Sequence, residues 1–120
     1  MSREKQKGTG FETQVARYLA HALDDDRIER RTTGGAKDRG DISGVRLHGE
    51  RVVVECKNHQ RAELSRWLDE AEVERGNDDA GYAFVVHKRR GRGDARMGDT
   101  YVTCTLDTFC AVLAGGRSLL

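Results

Sequence analysis

Asp41, Glu55 and Lys57 are the residues of this 120-residue chain whose types and spacing can do chemistry together. Residues 41–47 and 51–57 read as two strands of a hairpin, the second carrying the β-branched run Val52-Val53-Val54. A three-residue turn over His48-Gly49-Glu50 sets Leu47 opposite Arg51, Ser43 opposite Glu55 and Asp41 opposite Lys57. Directly opposed residues share a face, and strand alternation puts Glu55 and Lys57 on one side and Cys56 on the other. Two carboxylates and an ammonium then converge at one end of the hairpin. A two-residue turn would flip Asp41 to the opposite face.

Neighbouring carboxylates repel each other unless a cation lies between them, and a hard divalent ion such as Mg²⁺ prefers such oxygen ligands together with waters. A metal there lowers the pKa of a bound water, while Lys57 can stabilise charge on a phosphoryl oxygen or orient the attacking water. These are the parts needed to hydrolyse a phosphodiester. The same three residues also read as a cross-strand ion-pair cluster on a solvated sheet edge, and spacing leaves both readings open.

The elements that must position this group follow from periodicity. Phe11, Val15, Leu19, Ala22 and Leu23 recur at helical spacing over residues 10–23, and Thr9 with Glu12 has the form of a capping box at the helix start. A short strand over 28–33 leads into a basic loop marked by Gly34, Gly35 and Gly40. After the hairpin, Leu64, Trp67, Leu68 and Ala71 predict a second helix ending at Gly76, with Trp67 in the core or at a subunit interface. Strands over 82–87 and 101–104 flank a basic loop at 88–98. Leu106, Phe109, Val112 and Leu113 predict a terminal helix capped by Thr105. The expected order is α-β-β-β-α-β-β-α, an α/β domain with a mixed central β-sheet flanked by helices. Residues 1–120 form one domain, with 1–8 and 115–120 as flexible ends.

Charge is segregated rather than excessive. Residues 27–39 hold five cations against two carboxylates, residues 88–96 five against one, and residues 63–79 two against seven, within a net charge of +1. That excludes a uniformly basic nucleic-acid wrapper but suits a polyanion on one side. Cys56, Cys104 and Cys110 lack a C-x-x-C pair, and the four histidines lack close ligand spacing, which argues against disulfides and a zinc site. With no signal peptide and no membrane-spanning run, a soluble, cytoplasmic protein with no membrane partner is expected.

Asp41 followed by Glu55-Cys56-Lys57 after the valine run resembles the D…(D/E)-x-K signature of PD-(D/E)XK nucleases. Lys7-Gly8 before the Glu12 helix, Arg30-Arg31-x-x-Gly-Gly and Gly40-Asp41-Ile42 extend the resemblance, over roughly residues 7–90, to archaeal-type Holliday junction resolvases and their phage relatives. Gly40 stands where the motif's name has proline. The resemblance implies a restriction-endonuclease-like fold, Mg²⁺ or Mn²⁺ bound by Asp41 and Glu55, Lys57 as catalytic lysine and Glu12 completing the metal shell. It also implies a homodimer that makes paired nicks in four-way DNA junctions in recombination and repair.

The basic segments take matching roles. Lys7, Arg30, Arg31, Lys37 and Arg39 are expected to track phosphates near the metal site, with Lys88, Arg89, Arg90 and Arg92 contacting DNA from the second loop. No aromatic clusters interleave these arginines, so the expectation is recognition of duplex or junction shape through phosphates rather than stacking on unpaired bases. A restriction-like, nicking or repair endonuclease on non-junction DNA, and a non-catalytic DNA-binding module of the same fold, are the alternatives.

Overall fold

A computed structural model describes residues 3–32 and 39–120, with side chains from residue 10 onward outside that gap. The chain opens with helix α1 (Arg3–Ala22), followed by three short strands, β1 (Glu29–Arg30), β2 (Ile42–Ser43) and β3 (Arg46–Leu47), and the long β4 (Glu50–Lys57). Helix α2 (Leu64–Asn77) crosses over to β5 (Tyr82–His87). A 3-10 helix (Asp94–Asp99), β6 (Tyr101–Thr103), α3 (Leu106–Ala114) and a last 3-10 turn (Arg117–Leu119) complete the chain. The sheet order is β1-β2-β4-β5-β6, with β3 also on β4; β4 and β5 run parallel and the other pairs antiparallel. The expected mixed sheet with flanking helices is therefore found, with one strand split in two.

Alternation explains the two layers. Val52, Val54 and Cys56 of β4, with Tyr82 and Val86 of β5, meet Phe11, Val15 and Ala16 of α1 and Ala111 of α3. Val53, Ala83 and Val85 face the other way, onto Trp67 and Ala71 of α2. Trp67 is 2% exposed, which resolves its two readings in favour of the core. A parallel pair buried on both faces needs such a near-continuous apolar run.

Three local expectations are corrected. First, α1 starts at Arg3, so Thr9 lies inside the helix and cannot serve as its N-cap. The Glu12 carboxylate turns instead to Arg30 Nε, 3.1 Å away. Second, the hairpin turn has two residues: Leu47 pairs with Glu50 across His48 and Gly49, both with positive φ (53° and 78°), as a type I′ turn requires. Third, Ile42 pairs with Val54, so Asp41 does not oppose Lys57, nor Ser43 Glu55. Between the pairs Arg46↔Arg51 and Ile42↔Val54 the first strand uses one residue more than the second, a bulge at Gly44 and Val45 where Val52 N donates to Val45 O (3.0 Å). The shorter turn shifts the side-chain parity by one and the bulge shifts it back. Asp41 thereby continues on the side of Glu55 and Lys57.

The terminal helix forms as its caps dictate. Thr105 Oγ1 accepts from Thr108 N, and Gly115 closes the helix in the left-handed region (φ 91°). Beyond it, Arg117 ties the chain end to the sheet, donating from Nε to Gly81 O (2.7 Å) and from Nη2 to Thr108 Oγ1 (2.9 Å). Its backbone N–H donates to Glu50 Oε2 (3.0 Å). Arg117→Met keeps the stem but leaves these acceptors without the guanidinium, and is expected to cost about 2 kcal/mol, measured as a lower urea midpoint at unchanged slope.

Candidate active site and nucleic-acid interface

The site lies where β4 ends between α1 and α2. Val53 is fully buried and Glu55 only 7% exposed, so β4 carries its carboxylate into the protein rather than along an edge. Lys57, two residues on, reaches back: Nζ lies 3.4 Å from Glu55 Oε1 and 3.1 Å from Glu70 Oε2 of α2. Desolvation pulls the Lys57 pKa down, but the charges of Glu55 and Glu70 outweigh it and hold the ammonium above its ordinary value. Lys57 is a fixed cation, not a base.

Asp41 joins from just before β2, the strand beside β4. Its Oδ2 accepts from Cys56 N at 2.7 Å, the amide between Glu55 and Lys57 in the chain. Asp41 N in turn donates to Val54 O (2.9 Å), and Arg31 N donates to Asp41 O (2.7 Å). A carboxylate thus replaces the backbone acceptor where the β2–β4 ladder ends. Gly40 makes this approach possible: its φ is +96°, and an added Cβ would stand 3.0 Å from Val53 Cγ1 and 3.3 Å from Val54 O. Proline, locked near φ −65°, cannot adopt that conformation.

Cys56 reports on all of these charges. Burial pushes its thiol far above the ordinary value, and Asp41, Glu12 and Glu55 each push it further while Lys57 opposes them. The thiol stays protonated and is no nucleophile. Among the described residues, no three His, Cys, Asp or Glu side chains stand together as a group that could hold a metal. Two carboxylates are nevertheless an adequate protein contribution for Mg²⁺, which keeps several waters and takes further oxygens from substrate phosphates. The donor chemistry fits, since Asp41 and Glu55 offer hard oxygens and the one soft donor nearby is protonated.

The expected phosphate contacts fall into two regions. Arg31 and Arg39 line a cleft of about 230 Å³ together with Arg46 and Arg51, two residues that sequence reasoning missed because the strand pattern masked them. Arg30 is engaged by Glu12. Lys37 and the Lys7 side chain lie outside the described residues. Lys88, Arg89, Arg90 and Arg92 line a second cavity, of about 430 Å³. Although no aromatics interleave these arginines in the sequence, the fold brings rings beside them. His59, Trp67, His87 and Tyr101 form a row of rings with successive centroids 5.6, 5.6 and 5.3 Å apart, and the Arg89 guanidinium lies 5.1 Å from the Tyr101 centroid. Burial lowers the His87 pKa, so that ring is neutral at neutral pH, with Nε2 2.9 Å from Thr103 Oγ1. Glu70 is the other omission; its sequence signal was helical spacing from Arg66 on an acidic face.

On α3, Leu106, Phe109 and Leu113 form an exposed stripe at helical spacing. No helix among the described residues is long and apolar enough to cross a membrane. Compared with protein-family models, curated proteins and solved structures, the chain matches none.

Proposed function

We propose that this chain is a metal-dependent endodeoxyribonuclease of restriction-endonuclease-like fold that cuts branched DNA, in the manner of a Holliday junction resolvase. The observation that supports this reading is the Asp41 carboxylate on the amide of Cys56, the residue between Glu55 and Lys57, whose own side chains form an ion pair. Asp41 and Glu55 would hold Mg²⁺ or Mn²⁺, with Glu12 behind them. When bound, the metal supplies a Lewis acid and an activated water. Lys57, kept protonated by Glu55 and Glu70, is suited to stabilise charge growing on the phosphoryl oxygen, a term that needs a preorganised cation. Arg31 and Arg39 on one side and Lys88 to Arg92 on the other orient the strand through its phosphates.

Paired nicks need two active sites, and the exposed Leu106, Phe109 and Leu113 stripe is an apolar surface available to a second copy. The test is cleavage of a labelled four-way junction beside matched linear duplex with Mg²⁺ or Mn²⁺. Symmetrical paired nicks confined to the junction are expected. Equal cutting of the duplex would make the protein a general nuclease, and no metal-dependent cutting of either would remove the catalytic reading.

A further inference from the structure

The cavity beneath the second basic loop is built for more than phosphates. Trp67 and His87 line it, and the exposed rings His59 and Tyr101 stand at the two ends of the row. Tyr101 is 47% exposed and carries the Arg89 guanidinium, itself a planar cation on which a base can stack. The Trp67 indole Nε1 is buried without a hydrogen-bond partner among the described residues. At about 430 Å³ the space falls in the roughly 300–1,000 Å³ range of small-ligand sites. Rings beside cations are the combination that holds single-stranded nucleic acid, with bases stacked on rings and phosphates on the cations.

Its position gives it a purpose. Lys57 and His87 are direct partners across β4 and β5, and Lys88 N donates to Lys57 O at 3.0 Å. The cavity therefore begins one strand away from the proposed catalytic lysine, about 4.8 Å in sheet spacing. We infer that this pocket takes one unstacked nucleobase, with Lys88 and Arg89 on its flanking phosphates, so that the DNA cut at the Asp41–Glu55–Lys57 site carries an unpaired nucleotide beside the scissile phosphate. This deepens the proposed nuclease reading and rests on it for the position of the cut, while the pocket's affinity for a base stands on its own geometry.

Trp67 is the only tryptophan, so its fluorescence reports on the pocket directly. In EDTA, the protein is titrated with a short oligothymidylate and with an abasic phosphodiester strand of the same length and charge. The base-bearing strand is expected to quench Trp67 and to bind roughly tenfold more tightly than the abasic one. Tyr101→Leu and His59→Ala, both at exposed positions, are expected to bring the two affinities within about twofold of each other at unchanged circular dichroism, as removal of a stacking ring implies. Equal affinity of the wild type for both strands, binding of neither, or a base preference untouched in both variants overturns the inference. Metal-dependent junction cleavage is run alongside. Cleavage without base preference removes only the pocket, and base preference without cleavage removes only the nuclease reading.

Discussion

Lys57→Ala is expected to lower metal-dependent DNA cleavage by at least about a hundredfold, the scale on which removing one preorganised transition-state donor acts. DNA affinity, which rests on the arginines of the two basic segments, should stay within about twofold because binding draws on many phosphate contacts. The argument is electrostatic. Lys57 Nζ is held by Glu55 at 3.4 Å and by Glu70 at 3.1 Å, a cation positioned before any substrate arrives. Removing it also leaves the buried Glu55 carboxylate without that cation, so Lys57→Gln, which keeps a hydrogen-bond donor of similar length, separates charge from packing. Both variants should be inactive if the charge matters. Glu70→Gln, on the exposed side of the pair, should lose far less, since Glu55 still holds the lysine. Wild-type cleavage by a folded Lys57→Gln protein would take Lys57 out of the chemistry.

Gly44→Ala carries the largest expected effect on stability. Gly44 has φ +89°, and a Cβ there would run into the carbonyl of Arg27, which is backbone and cannot swing aside. The left-handed conformation alone costs a non-glycine residue roughly 1–3 kcal/mol, and the clash with the backbone just before β1 adds to it, so a loss of at least about 3 kcal/mol is expected. Gly49→Ala is the internal control: φ is +78°, but nothing lies within 4 Å of its added Cβ. Its cost should be about 1 kcal/mol, from conformation alone. Urea denaturation of the two variants measures the difference. Junction cleavage by Gly44→Ala should fall as well, because the bulge sets which side of the sheet Asp41 occupies. Similar losses in the two variants would mean that the Arg27 backbone yields at no cost.

The sequence made the sheet's centre legible and its edges less so. The valine run of β4 and the aromatic and valine pattern of β5 announced strands because both are buried on two faces, and α3 was marked at each end by Thr105 and Gly115. The start of α1 departs from expectation for a physical reason: Gly8, Thr9 and Gly10 carry the signals of a helix boundary, yet the helix runs through them, and this leaves Glu12 to meet Arg30. The hairpin departs from its expected form twice, in turn length and in the bulge, and the two departures cancel in parity, which returns Asp41 to the side of the sheet that its spacing suggests. The ring row stayed hidden because His59, Trp67, His87 and Tyr101 come from a loop, α2, β5 and β6. No local pattern links such residues; only the parallel β4–β5 pairing brings them together.

That parallel pairing also has a consequence for how the protein is made. Glu12, Asp41, Glu55 and Lys57 all leave the ribosome before α2 and before the β5 strand that β4 needs as a neighbour. At synthesis rates of roughly 5–20 residues per second, β4 waits about a second or more for that neighbour. During the wait, five consecutive residues that end up buried, Val52 to Cys56, stand on an open edge. A nascent chain stalled before Tyr82 thus holds the whole of the proposed chemistry in the form most prone to pair with copies of itself.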